Sequence, residues 1–235
     1  MDNFLVIANL KSNLLPNNIV PYLKEIENCN SNLVICPSEI YIPYFLKHNY
    51  SVGLQNIYYD GNQYTGEINP KQAYGLGVKY VILGHSDRRF KFNETDYDIN
   101  KTLIECLNIG LKVVLCIGET LEEKNMLKTA RILKKELNLG LRNINDLDNL
   151  YIAYEPIWSI GSGNIPSNQD IKDTVTYIKE VVYEMTNQDI KVLYGGSIDE
   201  NNIEMIKKIS NLDGIIIGKS SVNPKQLLKI VSKIQ

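Results

Sequence analysis

Eight short, almost wholly apolar runs recur along the chain: FLVIAN (4–9), LVIC (33–36), VGLQ (52–55), YVILG (80–84), VVLCIG (113–118), YIAYE (151–155), VLYGG (192–196) and GIIIG (214–218). None alternates apolar with polar residues, as a strand with one wet face would. Continuous, β-branched runs of this length are strands covered on both sides. The segments between them carry helical spacing, as in IVPYLKEIE (19–27), DINKTLIECLNIG (98–110), TLEEKNMLKTARILKKEL (120–137) and DIKDTVTYIKEVVYEM (170–185). Their punctuation agrees: Gly110 follows one helix, Ser167 with Asp170 forms a capping box, and Pro224 suits the first turn of the last helix. Strand and helix alternate from end to end, with no linker, composition shift or low-complexity segment. The expected fold class is therefore α/β, as one parallel domain over residues 1–235.

Two layouts satisfy that alternation. An open doubly wound sheet favours a glycine-rich phosphate loop after its first strand. Here the first run ends in NLKSN, without glycine. The glycines come instead after the seventh and eighth runs, at Gly195, Gly196 and Gly218, where a (β/α)8 barrel often builds its phosphate site. The barrel is the expectation.

Composition narrows the function. At 44% hydrophobic and 22% charged residues the chain is globular, and 25 basic against 27 acidic side chains leave a formal charge of −2 with both signs scattered. That balance gives no electrostatic case for a nucleic-acid or anionic-membrane partner. The start, MDNFLVIANLK, places an acid where a signal peptide has its basic region, and no apolar run approaches a membrane span. Cys29, Cys36, Cys106 and Cys116 form no CxxC pair, and His48 and His85 are the two histidines. Buried reduced thiols in a cytoplasmic protein, without a zinc cluster, are the expectation.

In a barrel of this kind the active site lies at the carboxyl ends of the strands. The polar residues falling there are Asn9 and Lys11, His85, Glu155, Ser197, and Gly218 with Lys219. They stand in recognisable surroundings: N-x-K at Asn9 and Lys11, LQN (54–56), TGE (65–67), GHSDRR (84–89), CIGET (116–120), AYEPIWSIGSG (153–163), YGGSI (194–198) and DGIIIGKSS (213–221). One such segment is a weak signal, but their joint order on eight strand ends is specific. Over essentially its whole length the sequence resembles the triosephosphate isomerase family.

That resemblance implies a TIM barrel that interconverts dihydroxyacetone phosphate and D-glyceraldehyde 3-phosphate through an enediolate, in glycolysis and gluconeogenesis, with no cofactor and no metal. The residues fit such chemistry. Removing a proton beside a carbonyl needs a positioned base, a partner for the oxygen that gains charge, and exclusion of water. Glu155 is the expected base, at a strand end beneath a loop able to close and dry it. His85 is the expected electrophile, running into SDRR as a first helical turn, so that a helix N-terminus keeps its imidazole neutral in the family's manner. Lys11 supplies fixed positive charge, and Asn9 bonds substrate or base. Backbone N–H groups of Gly161, Ser197, Gly218 and Lys219 are expected to hold the phosphate. Pro156 and Trp158 restrain one hinge of the lid, Ser159 and Ile160 form its tip, and Gly161 to Gly163 supply the other hinge. The segment 56–69, with Tyr58, Tyr59 and Tyr64, resembles the loop that family members insert into a second subunit. It implies a homodimer in which Arg88 and Glu67 are candidate partners across the interface.

Simpler readings weigh against single residues. A lone strand-end acid is usually a solvated side chain or a cap, and it is the attached EPIW and its glycines that reverse this for Glu155. A lone histidine is more often structural, and GHSDRR changes that for His85, whereas His48 reads as a surface residue. Lysine is rarely buried unpaired, so Lys11 on a buried strand end has few structural explanations. Several positions depart from the family: Asp87 stands for Glu, Lys219 for a second glycine, Ser159 and Ser162 for Ala and Thr in the lid, and Leu10 for Trp. Two alternatives predict different features. A related phosphate-binding barrel acting on a larger substrate predicts a wider mouth and no short lid. A non-catalytic binding barrel predicts decay among Asn9, Lys11, His85 and Glu155.

Overall fold

The computed structural model describes residues 4–29, 32–48, 50–59 and 64–234. Eight strands form in chain order: β1 (Leu5–Asn9), β2 (Leu33–Cys36), β3 (Ser51–Leu54), β4 (Tyr80–Leu83), β5 (Lys112–Ile117), β6 (Leu150–Tyr154), β7 (Lys191–Tyr194) and β8 (Gly214–Ile217). Each lies within two residues of an apolar run at either end. They pair in parallel around a closed barrel, β1 returning to β8 with Leu5 opposite Gly214. The ring explains why the runs do not alternate. Ile7, Val34, Ile82, Val114 and Leu193 fill the interior as one cluster, while Val6, Ile35, Val113, Ile152 and Val192 face outward into the helical layer. Removing each such side chain from water contributes about 1.5–3 kcal/mol.

Glycine sets the register at two crowded points. A Cβ at Gly53 would lie 2.7 Å from Cys36 Sγ, and one at Gly214 would lie 2.2 Å from the Leu5 carbonyl. Away from the site the barrel floor is closed by Tyr80 and Tyr151, whose ring centroids are 6.1 Å apart. The ammonium groups of Lys112 and Lys191 cover those rings at 5.3 and 5.5 Å.

The helices follow the punctuation. Gly110 closes the helix Asp96–Ile109 in the left-handed region at φ 94°. Ser167 and Asp170 exchange capping bonds at the head of Asn168–Thr186, and Pro224 opens Pro224–Ile234. One expectation is corrected: residues 120–137 form two helices, Leu121–Asn125 and Thr129–Gly140. Leu127, at φ 57°, ends the first of them. Tertiary contact places that short helix, because Lys124 sits 3.5 Å over the ring of Trp158. Early connections are compact. Among the described residues, Glu39–Tyr41 and Ile42–Phe45 follow β2, and Pro70–Leu76 follows β3. Among the described residues no helix is long and apolar enough to cross a membrane.

Candidate active site

At the carboxyl end of β1 the backbone turns sharply, and Lys11 takes a positive φ of 48°. Such a conformation costs a non-glycine residue of order 1–2 kcal/mol and persists only where the surroundings enforce it. Here they do. The Lys11 amide donates to Asn9 Oδ1 at 3.2 Å, and its carbonyl accepts from Ser38 Oγ at 3.0 Å and Gln55 Nε2 at 2.9 Å. Gln55 also donates to the Cys36 carbonyl at 3.0 Å, so β3 and β2 together set the lysine's direction. Its ammonium lies 2.8 Å from Asp87 Oδ2.

His85 follows β4 and caps the helix Ser86–Lys91, accepting the Asp87 N–H at Nδ1 over 3.0 Å. A nitrogen that accepts a hydrogen bond carries a lone pair, so the ring's proton belongs at Nε2, the atom turned toward Glu155. Asp87 thus serves twice, through its amide to His85 and its carboxylate to Lys11. Burial pushes that carboxyl up, but Lys11 and Lys91 outweigh it and hold it down at about 2. The shorter acid therefore still reaches the lysine.

Glu155 follows β6 and is 5% exposed. Its Oε2 has no hydrogen-bond partner and stands 3.8 Å from His85 Nε2, too far for a direct bond, which leaves both groups free for a third molecule. Two glycines make its place. A Cβ at Gly195 would lie 2.6 Å from Glu155 Cγ, and one at Gly118 only 1.9 Å from its carbonyl. The glycine pair after β7, read from sequence as a phosphate turn, is thus also a packing requirement. Burial, then the Glu155 carboxylate, pushes the adjoining Cys116 thiol up, and all four cysteines are buried thiols outside any disulfide.

The segment after Glu155 lies down on the turn after β7. Gly163 N–H donates to Ser197 Oγ at 3.2 Å, and Ser197 Oγ donates to the Ser159 carbonyl at 2.6 Å. Gly161 and Gly163 have φ of 65° and 80°, conformations open to glycine at little cost. Trp158 anchors the near end by donating to Glu119 Oε1 at 2.9 Å, where burial raises the Glu119 carboxyl. Lys219 begins the helix Lys219–Val222 and has no positive φ, so its side chain is accommodated where a glycine was expected.

One cavity of about 1120 Å³ is lined by Asn9, Lys11, His85, Glu155, Gly161, Ser197, Gly218 and Lys219, which brings together every candidate read from the strand ends. His48 lies apart, stacked on Tyr50 at 5.5 Å. Three supporting groups escaped sequence reasoning. Ser38 and Gln55 act on a backbone carbonyl, a role that side-chain chemistry does not advertise. Arg89 binds the carbonyls of Gly84 at 2.7 Å and Cys116 at 3.3 Å, tying β4 to β5 beneath the acid and the imidazole. Its partners are Asp96 at 2.6 Å and Glu136 at 3.8 Å, and Glu136 accepts the Gly118 N–H at 2.9 Å.

A carboxylate and a proton-bearing imidazole facing one cavity, with a fixed ammonium and a glycine-hinged cover, define a barrel enzyme that moves protons on a small anionic substrate. The family model for triosephosphate isomerase matches residues 4–234. A triosephosphate isomerase of Thermodesulfovibrio yellowstonii is 43% identical over 182 residues, 75% of this chain and 74% of that protein. That of Clostridium botulinum strain Okra is 33% identical over 247 residues, covering 99% of this chain and all of its own, and that of Francisella philomiragia is 32% identical over 243 residues, 97% and 96%. The chain belongs to the triosephosphate isomerase family, and it is an isomerase.

Proposed function

We propose that this chain interconverts dihydroxyacetone phosphate and D-glyceraldehyde 3-phosphate within a single catalytic domain, with Glu155 as the base. The observation that carries this reading is the unpartnered, buried Glu155 Oε2 facing His85 Nε2 across 3.8 Å of the cavity. Glu155 takes the proton from the carbon beside the carbonyl, and the electrons move into an enediolate. His85 donates from Nε2 to the oxygen gaining charge, while Lys11 and Asn9 stabilise it. The hydroxyl proton passes from one enediolate oxygen to the other through His85 Nε2, and returning the carbon proton from Glu155 to the neighbouring carbon then gives the other triose phosphate. The amides of Gly161, Ser197, Gly218 and Lys219 hold the phosphate, and the lid over Glu155 excludes water and discourages its loss.

The reaction is a step of glycolysis and gluconeogenesis, which supports a cytoplasmic location. Tyr58, Tyr59 and Tyr64 of segment 56–69 are the protein's contact to a second copy, with Arg88 and Glu67 as partners across the interface; residues 60–63 of that segment lie outside the described residues. A compact lid favours a triose over the larger substrate of a related barrel, and the intact set of four polar residues disfavours a non-catalytic one. The test is conversion of glyceraldehyde 3-phosphate by the purified protein beside Glu155→Gln. Loss of turnover by a factor of 10² or more in a folded variant is expected. Equal turnover in the two would remove Glu155 from the role of base.

A further inference from the structure

The lid's tip carries a hydroxyl with more to do than its length suggests. Ser159 is 0% exposed, and all of its polar groups are engaged. Its amide donates to the Pro156 carbonyl at 2.8 Å, and its carbonyl accepts from Ser197 Oγ at 2.6 Å. Its Oγ donates to the Asn164 carbonyl at 2.6 Å and accepts the Ser197 N–H at 3.4 Å. The first of these Oγ bonds closes a ring across Ile160 to Gly163, so the two ends of the lid are stapled together. The second reaches the turn after β7, where Tyr194 Oη, buried and without a well-aligned partner, faces the same space across Gly196. Ser162 adds a bond to the Trp158 carbonyl at 2.9 Å, but it is exposed and stays within the lid. Of the two lid serines, Ser159 is the one whose hydroxyl bonds both the far end of the lid and the turn after β7.

We infer that Ser159 is a positioning residue for the isomerisation, its hydroxyl fixing the closed form of the lid and thereby the Gly161 and Ser197 amides at the phosphate. The inference rests on the reading of residues 156–163 as a lid over Glu155. An alanine, which cannot bridge Asn164 and Ser197, would leave the lid's hinges intact and its closed form under-determined. The long 3.4 Å bond is the weakest member of the network, so an arriving phosphate takes the Ser197 N–H at little cost while the 2.6 Å staple to Asn164 persists.

Ser159→Ala tests this with 2-phosphoglycolate, a two-carbon acid whose planar carboxylate and phosphate mimic the enediolate. The inhibitor is expected to bind about fivefold to tenfold more weakly, the loss expected for a neutral hydrogen-bond network. KM should rise by more than kcat falls, and amide hydrogen exchange across residues 160–163 in the inhibited protein should quicken. Unchanged affinity and exchange would overturn the inference. So would a variant that melts early yet binds the inhibitor normally, since the hydroxyl would then serve packing. Failure of the wider reading shows separately, as turnover surviving Glu155→Gln.

Discussion

At the scale of single residues, the site works by holding unfavourable arrangements in place. Lys11 keeps a left-handed backbone and Glu155 keeps a buried oxygen without a partner. Both persist because neighbours over-determine them. Gln55 is the sharpest case, since one amide binds the carbonyls of Lys11 and Cys36 together. Gln55→Ala should therefore lower kcat/KM about tenfold by releasing the lysine's direction, and lower Tm by a few degrees as two carbonyls lose a donor. Steady-state kinetics with a thermal melt check this; unaltered kinetics would show that Asp87 alone positions Lys11. Of these residues Lys11 and Glu155 were legible from their types at strand ends. Gln55 was not, because it acts on a carbonyl that every residue has.

At the scale of elements, the ion network behind β4 and β5 links stability to pH. Glu136, on the helix Thr129–Gly140, is pushed up to about 7 by burial, with the Arg89 charge and the Gly118 N–H pulling the other way. Asp96 and Glu123 face it as well and raise it further. The unfolded carboxyl titrates at 4.5, so between pH 4.5 and 7 the folded chain binds the extra proton. Stability therefore falls as pH rises through that window and levels off above it, by roughly 3 kcal/mol at most. Glu136→Gln keeps an acceptor for Gly118 and removes the titration. Its Tm should exceed that of the unsubstituted chain by several degrees at pH 8, and the two should converge near pH 4.5. Parallel melting curves across that range would refute the assignment. The corresponding feature of sequence, ARILKKEL, reads only as an amphipathic helix. Which of its acids is buried depends on where the helix meets the barrel.

At the scale of the whole molecule, two groups of aromatic side chains bear on assembly. Tyr58 stacks on Tyr59 at 4.7 Å and meets Tyr64 edge-on at 4.8 Å, while Phe90 and Phe92 are 60% and 64% exposed nearby in sequence to Arg88. Arg88 Nε is buried without a hydrogen-bond partner, 3.7 Å from Glu94. An apolar aromatic surface beside an unsatisfied donor supports the proposed contact with a second chain. Sedimentation equilibrium is expected to give the mass of two chains, and Tyr64→Asp to shift micromolar protein toward the monomer. A dimer that persists in that variant would place the interface elsewhere.

Sequence by itself determined the strands and the ends at which polar residues fall. A strand buried on both faces has only one composition to offer, so eight such runs separated by helical spacing specify a parallel layer, and the glycines after the seventh and eighth runs point to its closure. It also determined the chemistry available there: an acid beside a hinged loop, an imidazole entering a helix, a lysine after a buried strand. Tertiary structure alone decided how those groups are held. The left-handed Lys11, the two bonds of Asp87, the room that Gly118 and Gly195 leave around Glu155, and the span of Ser159 from Asn164 to Ser197 all join segments distant in the chain. Such contacts are fixed by the curvature of the closed barrel, which brings every strand end to one rim and which no local pattern records.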